Sequence, residues 1–121
     1  MNIRVVDTDE GKIVIANSDA IIISDGQSAL EFAANIFYEH ECNRIAINKG
    51  AIDESFFRLS TGVAGEIAQK FSNYRYHVAI FGDFSAYPSK PLRDYIYECN
   101  RGKTLNFVAD EDEAIKRLSK G

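Results

Sequence analysis

Apolar and polar positions alternate along this chain in two rhythms. Ile3 to Val6 and Ile13 to Ala16 are short β-type runs. Between them, Asp7-Thr8-Asp9-Glu10-Gly11-Lys12 is polar and carries a glycine able to take the positive φ that tight turns demand, so an antiparallel N-terminal hairpin is predicted. A third run, Ala20-Ile21-Ile22-Ile23, reads as a strand leading into a helix, with Ser24 and Gln27 at the spacing of a capping box. The rhythm then lengthens. Ala29, Phe32, Ala33, Ile36 and Phe37 recur every three or four residues while Glu31, Asn35, Glu39 and Glu41 fall off that stripe, which predicts an amphipathic helix.

Arg44 to Asn48 is the next strand, emerging into Lys49-Gly50, and Asp53 is placed to cap a brief helix through Phe57. Ser60-Thr61-Gly62 reads as the start of a second main helix that buries Val63, Ala64, Ile67, Ala68 and Phe71. Gly62, Ala64, Gly65 and Ala68 suit close backbone approach, although each glycine gives up roughly 1 kcal/mol of helix propensity relative to alanine. His77 to Asp83 is nearly continuous in apolar residues, as for a strand covered on both faces, and is expected at the sheet centre. Ser89 caps a third helix with Leu92, Tyr95, Ile96 and Cys99 on one face, stopped by Asn100-Arg101-Gly102. Lys103 to Val108 is the last strand. A final helix opens with Asp110, Glu111 and Asp112, closes with Lys116, Arg117 and Lys120 in keeping with its dipole, and turns Ala114, Ile115 and Leu118 inward.

Strands alternating with helices predict a single α/β domain over residues 1–121. Its sheet is mixed and largely parallel, with the N-terminal β-hairpin at one side and flanking helices. Ligands of such sheets meet the loops at the carboxyl ends of the strands. Those loops hold Ser24, Asp25, Asn48, Lys49, Asp83, Phe84, Ser85 and Asp110, which form the expected binding-site rim.

Composition narrows the function classes. A chain of 121 residues is long enough to bury roughly two thirds of its unfolded surface without metal or disulfides. The longest apolar runs, Ala20 to Ile23 and Val78 to Phe81, fall far short of the ~18 residues of a membrane span. Met1 to Asp7 has no secretory pattern, so a cytoplasmic protein is expected. Cys42 and Cys99 are too far apart for a zinc knuckle and are expected to be inert thiols. A net charge of -4, a pI near 5.1 and no basic run argue against nucleic acid. No paired histidines and no Asp-x-Asp-x-Asp loop occur, and neither metal nor cofactor is expected.

Ser60 and Thr61 have two roles open to them. A phosphate there would be favoured by the amides and dipole of a helix N-terminus, while an unmodified hydroxyl would simply cap the helix. Asp83 and Ser85 offer an acid and a hydroxyl, with Lys49 or Lys90 as a cation for an anionic ligand. The alternative for that pair is a strand end and a polar turn. His40 and His77 stand in no nucleophile-elbow sequence and read as solvated or dipole-complementing. Tyr95 and Tyr97 cannot share a helix face, and Tyr97 is expected outside, where it would suit an interface.

The stretch from Asp53 to Phe71, with Asn73-Tyr74 and Gly82-Asp83-Phe84-Ser85 after it, resembles an uncharacterised bacterial domain-of-unknown-function family over nearly the whole chain. The wider layout is similar to SpoIIAA-like and STAS (sulfate transporter and anti-sigma factor antagonist) domains. It runs from Val78 to Asp83, through a helix and a strand ending Asn106-Phe107-Val108, to Glu113 to Leu118. That resemblance implies a sheet flanked by helices and a docking surface controlled by phosphorylation of a Ser or Thr where the second main helix begins. Ser60-Thr61-Gly62 is the nearest counterpart, and Asn48 and Leu59 stand where those domains usually carry aspartates. The leading expectation is a non-enzymatic regulatory or protein-interaction module with a protein partner or self-association. A small-molecule or lipid-binding domain with an apolar pocket along Gly62 to Ala68, or a hydrolase-type enzyme using Asp83, Ser85 and Lys49, are the alternatives.

Overall fold

The hairpin forms as its pattern demands. In the computed structural model, which describes residues 1–119, β1 (Asn2–Thr8) and β2 (Gly11–Asn17) pair antiparallel from Asn2 opposite Asn17 to Thr8 opposite Gly11. Lys120, counted above with the basic end of the last helix, lies outside the described residues. Asp9 and Glu10 make the turn, with Thr8 Oγ1 donating to the Gly11 carbonyl over 2.8 Å and Gly11 at φ +117°.

β2 is used a second time. It pairs parallel with β3 (Arg44–Asn48), β3 with β4 (His77–Phe81) and β4 with β5 (Leu105–Val108), giving the order β1-β2-β3-β4-β5. Ala20 to Ile23 is therefore not the strand its apolar run predicts. With β2 already beside β3, the run keeps one isolated parallel bridge, Ile23 to Ile52, and the Ile22 and Ile23 amides both donate to the Ala51 carbonyl. Two further expectations shift. β3, not β4, is the middle strand, with β4 ending at Phe81, and β5 starts at Leu105 rather than Lys103.

In a sheet laid down in chain order, right-handed crossovers put every connecting helix on one face. α1 (Gly26–His40), α2 (Val63–Asn73) and α3 (Lys90–Asn100) accordingly share one core with Val14, Ala16, Ile45, Ile47, Val78, Ile80, Leu105 and Phe107. The intervening residues Ile13, Ile15, Ala46 and Ala79 face the other way and meet Ala114 and Leu118 of α4 (Glu111–Ser119). Period-two alternation thus feeds two cores from the same strands. Glu111, at the start of α4, accepts from Arg4 of β1 and from Asn17 Nδ2 of β2, tying that helix back to the hairpin.

Local chemistry explains where the helices begin. α1 is capped by Asp25, not Ser24: the carboxylate accepts from the Ser28 amide at 2.8 Å while Ser28 Oγ accepts from the Asp25 amide at 3.1 Å. The capping box lies one residue beyond the Ser24/Gln27 spacing because a carboxylate is the stronger acceptor for those amides. Ala29, Phe32, Ala33 and Ile36 are buried, but Phe37 is 50% exposed. Four residues past Ala33, it has turned about 40° off the stripe. Asp53 caps a 3₁₀ turn, Glu54–Phe57, and Ser89 Oγ caps α3 through the Leu92 amide, both as expected.

α2 begins later than expected. Leu59–Thr61 is a separate 3₁₀ turn, and Gly62, left-handed at φ +78°, is the N-cap, so Ser60 and Thr61 precede the helix rather than open it. Close approach is not the reason for its glycines either, since a Cβ on Gly62 or Gly65 would meet nothing within 4 Å. Crowding is found instead at Gly26, where a Cβ would fall 2.6 Å from Glu66 Oε1, the atom that accepts from the Gly26 amide, and at Gly82.

Candidate functional site

The ends of β2 and β3 are clamped by one side chain. Asn48 accepts the Ser18 amide through Oδ1 and donates Nδ2 to the Ser18 carbonyl, both at 2.9 Å, so this strand-end asparagine is a structural tie. The chain then tightens into a 3₁₀ turn, Lys49–Ala51. The Lys49 ammonium sits 5.0 Å from the Tyr87 ring centroid, 5.6 Å from that of Phe57 and 3.7 Å from Glu54 Oε1. Tyr87 stacks on Phe57 at 5.0 Å, and its hydroxyl lies 3.0 Å from both Glu54 carboxylate oxygens. The Tyr87 oxygen above all, and the Glu54 carboxylate, hold the Lys49 ammonium above its ordinary value against the opposing effect of burial. Burial pushes the Tyr87 phenol up. Cation, ring faces and carboxylate together form a compact node rather than a vacant anion site.

Gly82 completes this edge. A Cβ there would stand 2.6 Å from Lys49 Cβ, so only glycine lets the end of β4 cross the lysine stem. Next to it, Asp83 Oδ1 accepts from Ser85 Oγ at 2.6 Å and from the Ser85 amide at 2.9 Å. The Ser85 hydroxyl, then its amide, hold the Asp83 carboxyl below its usual range, with Lys49 adding a smaller pull. Phe84 packs edge-on to Phe107 at 5.4 Å and supports the node from below.

Of the expected rim, Asn48, Lys49, Asp83, Phe84 and Ser85 come together at the carboxyl edge of the sheet. Asp25 is spent on starting α1, where the Ser24 backbone amide also donates to Ser28 Oγ, and Asp110 on starting α4, where Oδ1 accepts from the Glu113 amide. Lys90, the other cation considered, is exposed on α3 and paired with Asp94 at 2.8 Å. Neither histidine reaches Ser85. His77 opens β4 at the opposite edge with Nδ1 donating to the Lys103 carbonyl, and His40 ends α1 beside Glu39. The Asp83/Ser85 pair therefore has the geometry of an Asp-initiated turn, and no histidine relay is assembled around it. Sequence reading missed Glu54, Phe57 and Tyr87 as partners of Lys49. Nothing local marks them, since Glu54 and Tyr87 are 33 positions apart.

Ser60 and Thr61 separate cleanly. Thr61 Oγ1 lies 2.7 Å from the Ser55 carbonyl and 2.8 Å from that of Arg58, and accepts the Val63 amide at 3.2 Å, so its hydroxyl is committed to shaping the turn. Ser60 is exposed, and among the described residues its hydroxyl has no hydrogen-bond partner. α2 has no side-chain cap of its own. Of the Gly62 to Ala68 segment, only Ala68 lines a described cavity, a groove of about 340 Å³ between α2, α3 and the start of β5. On α3, Tyr95 donates to the Ala64 carbonyl at 3.3 Å and Tyr97 is exposed, the division expected of them.

A family model described as "Domain of unknown function (DUF4180)" matches residues 8–118, from the end of β1 to the end of the α4 contact with the sheet. No curated protein and no solved structure matches the chain. Among the described residues, no helix is long and apolar enough to cross a membrane.

Proposed function

The chain belongs to the DUF4180 family, and from that premise we propose that it is a non-enzymatic docking module switched by phosphorylation of Ser60. The observation that carries this reading is the division of labour in the turn before α2. Thr61 does the structural work, and the adjacent Ser60 hydroxyl is exposed and uncommitted. Thr61 Oγ1 takes the Val63 amide and the Gly62 N-cap has no side chain for the amides that follow, so a phosphate on Ser60, with the exposed Arg58 two residues away, would stand close to a helix start that favours an anion. The resemblance to SpoIIAA-like and STAS domains read from the sequence implies a phosphosite at the same turn. On this reading the partner is another protein, or a second copy, meeting the surface around Ser60 in the cytoplasm. The added charge weakens that contact by repulsion and desolvation.

The test is phosphosite mapping by mass spectrometry on protein isolated from its own cells, followed by partner capture with wild type, Ser60→Ala and Ser60→Asp. Phosphate on Ser60, with a partner retained by Ser60→Ala and lost by Ser60→Asp, is expected. An unmodified Ser60 across growth conditions, together with identical partners for all three proteins, would overturn the reading.

A further inference from the structure

We propose that the open edge of β1, with the groove between it and α1, docks an extended peptide segment of basic–apolar–basic pattern as an added strand. The two ends of the sheet differ. At β5 the Asn100 side chain donates to the Phe107 carbonyl at 3.1 Å and accepts the Phe107 amide at 2.7 Å, taking the place of a neighbouring strand. β1 stands at the other end and, among the described residues, pairs with β2 alone.

The register of the hairpin says which groups are open. A turn of two residues makes Thr8 and Gly11 the closing hydrogen-bonded pair, and bonded and unbonded pairs then alternate down the strands. Thr8, Val6, Arg4 and Asn2 therefore direct their amides and carbonyls to β2, while Ile3, Val5 and Asp7 direct theirs outward. The side chains of Ile3, Val5 and Asp7 share the face that α1 covers, where Ile3 packs against the three-helix core and Val5 is 40% exposed.

Beside them runs a groove of about 310 Å³, floored by Ile3, Ile22, Phe32 and Ile36 and walled by Glu31 and Glu39 of α1. Glu31 accepts from Gln27 at 2.9 Å and Glu39 lies 3.8 Å from His40, so among the described residues neither is paired with a lysine or arginine. Glu31 and Glu39 are separated by about 12 Å along the helix. Side chains on one face of an added strand recur every ~6.8 Å, so its positions i and i+4 span roughly 14 Å. Lysine or arginine at those two positions reaches both carboxylates, and an apolar side chain at i+2 enters over Phe32 and Ile36. Main-chain bonds along the edge supply affinity, and the groove supplies the choice of sequence.

Charge also separates this occupant from a second copy of the chain. The two-fold antiparallel pairing that uses all three outward residues centres on Val5 and sets Asp7 of the copy opposite Ile3. That brings another carboxylate to an acidic groove. Arg4 gives no relief, since it lies on the opposite face with Glu111.

Titration of the full chain with a capped Thr-Lys-Thr-Val-Thr-Lys-Thr heptapeptide, followed by amide chemical shifts, tests this against the same peptide with glutamate for lysine. Saturable one-to-one binding of the lysine peptide is expected, with shifts at 3, 5, 7 and 31–39, and no binding of the glutamate peptide. Glu31→Gln and Glu39→Gln should each weaken it by about two- to fivefold, as exposed ion pairs do. Val5→Pro removes an outward N–H and no bond to β2, and should weaken it by about tenfold or more. Ser60→Ala should bind as wild type does, so failure here leaves the phosphorylation reading standing. Binding that does not saturate, equal binding of the two peptides, or glutamine variants that unfold and bind as wild type does would overturn the proposal. A dimer in sedimentation that Val5→Pro dissociates would also overturn it, by giving the edge to a second copy.

Discussion

Gly62 and Gly65 look interchangeable in the sequence and are not. Gly62 holds φ +78° with open space around it, so an alanine there meets no atom but is forced into the left-handed region. Gly62→Ala should destabilise the protein by about 1 kcal/mol. Gly65 lies in the first turn of α2 with ordinary φ and nothing near its missing Cβ, and Gly65→Ala should stabilise by up to about 1 kcal/mol. Urea midpoints of the two variants, moving in opposite directions from wild type, are the check. The same lesson holds for Ser60 and Thr61. Both residue types suit a cap or a phosphosite, and only the atoms within reach of each hydroxyl assign Thr61 to the turn.

Among the elements, α1 shows how a boundary couples to pH. The Ser28 amide first, and the Ser28 hydroxyl second, hold the Asp25 carboxyl below its ordinary value of 3.8. A carboxyl lowered in the folded state contributes stability that is full above that ordinary value and is lost as the pH falls through the folded one. Asp53 and Asp83 act in the same sense, chiefly through the Ser55 amide and the Ser85 hydroxyl. Melting temperature should therefore fall below about pH 4. Asp25→Asn should lower it at neutral pH and flatten that acid limb, which thermal denaturation followed by circular dichroism across the range will show. The edges differ in protection. Asn100 pairs with the backbone of β5 as a neighbouring strand would, blunting that edge.

For the whole molecule, the unequal loading of the two sheet faces decides which substitutions matter. Three helices cover one face and α4 alone the other, where Ala46 and Ala79 leave room for it. Phe56 is fully buried on the crowded face, 4.9 Å from the Phe57 ring and 5.9 Å from that of Phe107, so it links the Lys49 node to β5. Phe56→Ala should cost about 3–5 kcal/mol, whereas Phe37→Ala, on the exposed flank of α1, should stay within about 0.5 kcal/mol. Equilibrium unfolding in urea distinguishes them. The accessible surface of 6786 Å² is about a third of the roughly 20,000 Å² expected for the unfolded chain, so a monomer already closes its core.

The chain's local pattern was enough to determine the hairpin, the places of β3, β4 and β5 along the chain, the three- and four-residue stripes of the helices and the caps at Asp53 and Ser89. Each depends on residues within a few positions of one another. Tertiary structure alone decided what depended on distant partners. β2 took the place beside β3 and demoted Ala20 to Ile23 to a single bridge, because β3 offers only two edges and β2 and β4 fill both. It also set the Lys49 node, whose carboxylate and phenol lie 33 residues apart. Side-chain periodicity encodes which face a residue occupies. It holds no information about which distant side chain will stand across from it, and the candidate sites of this protein are made of such meetings.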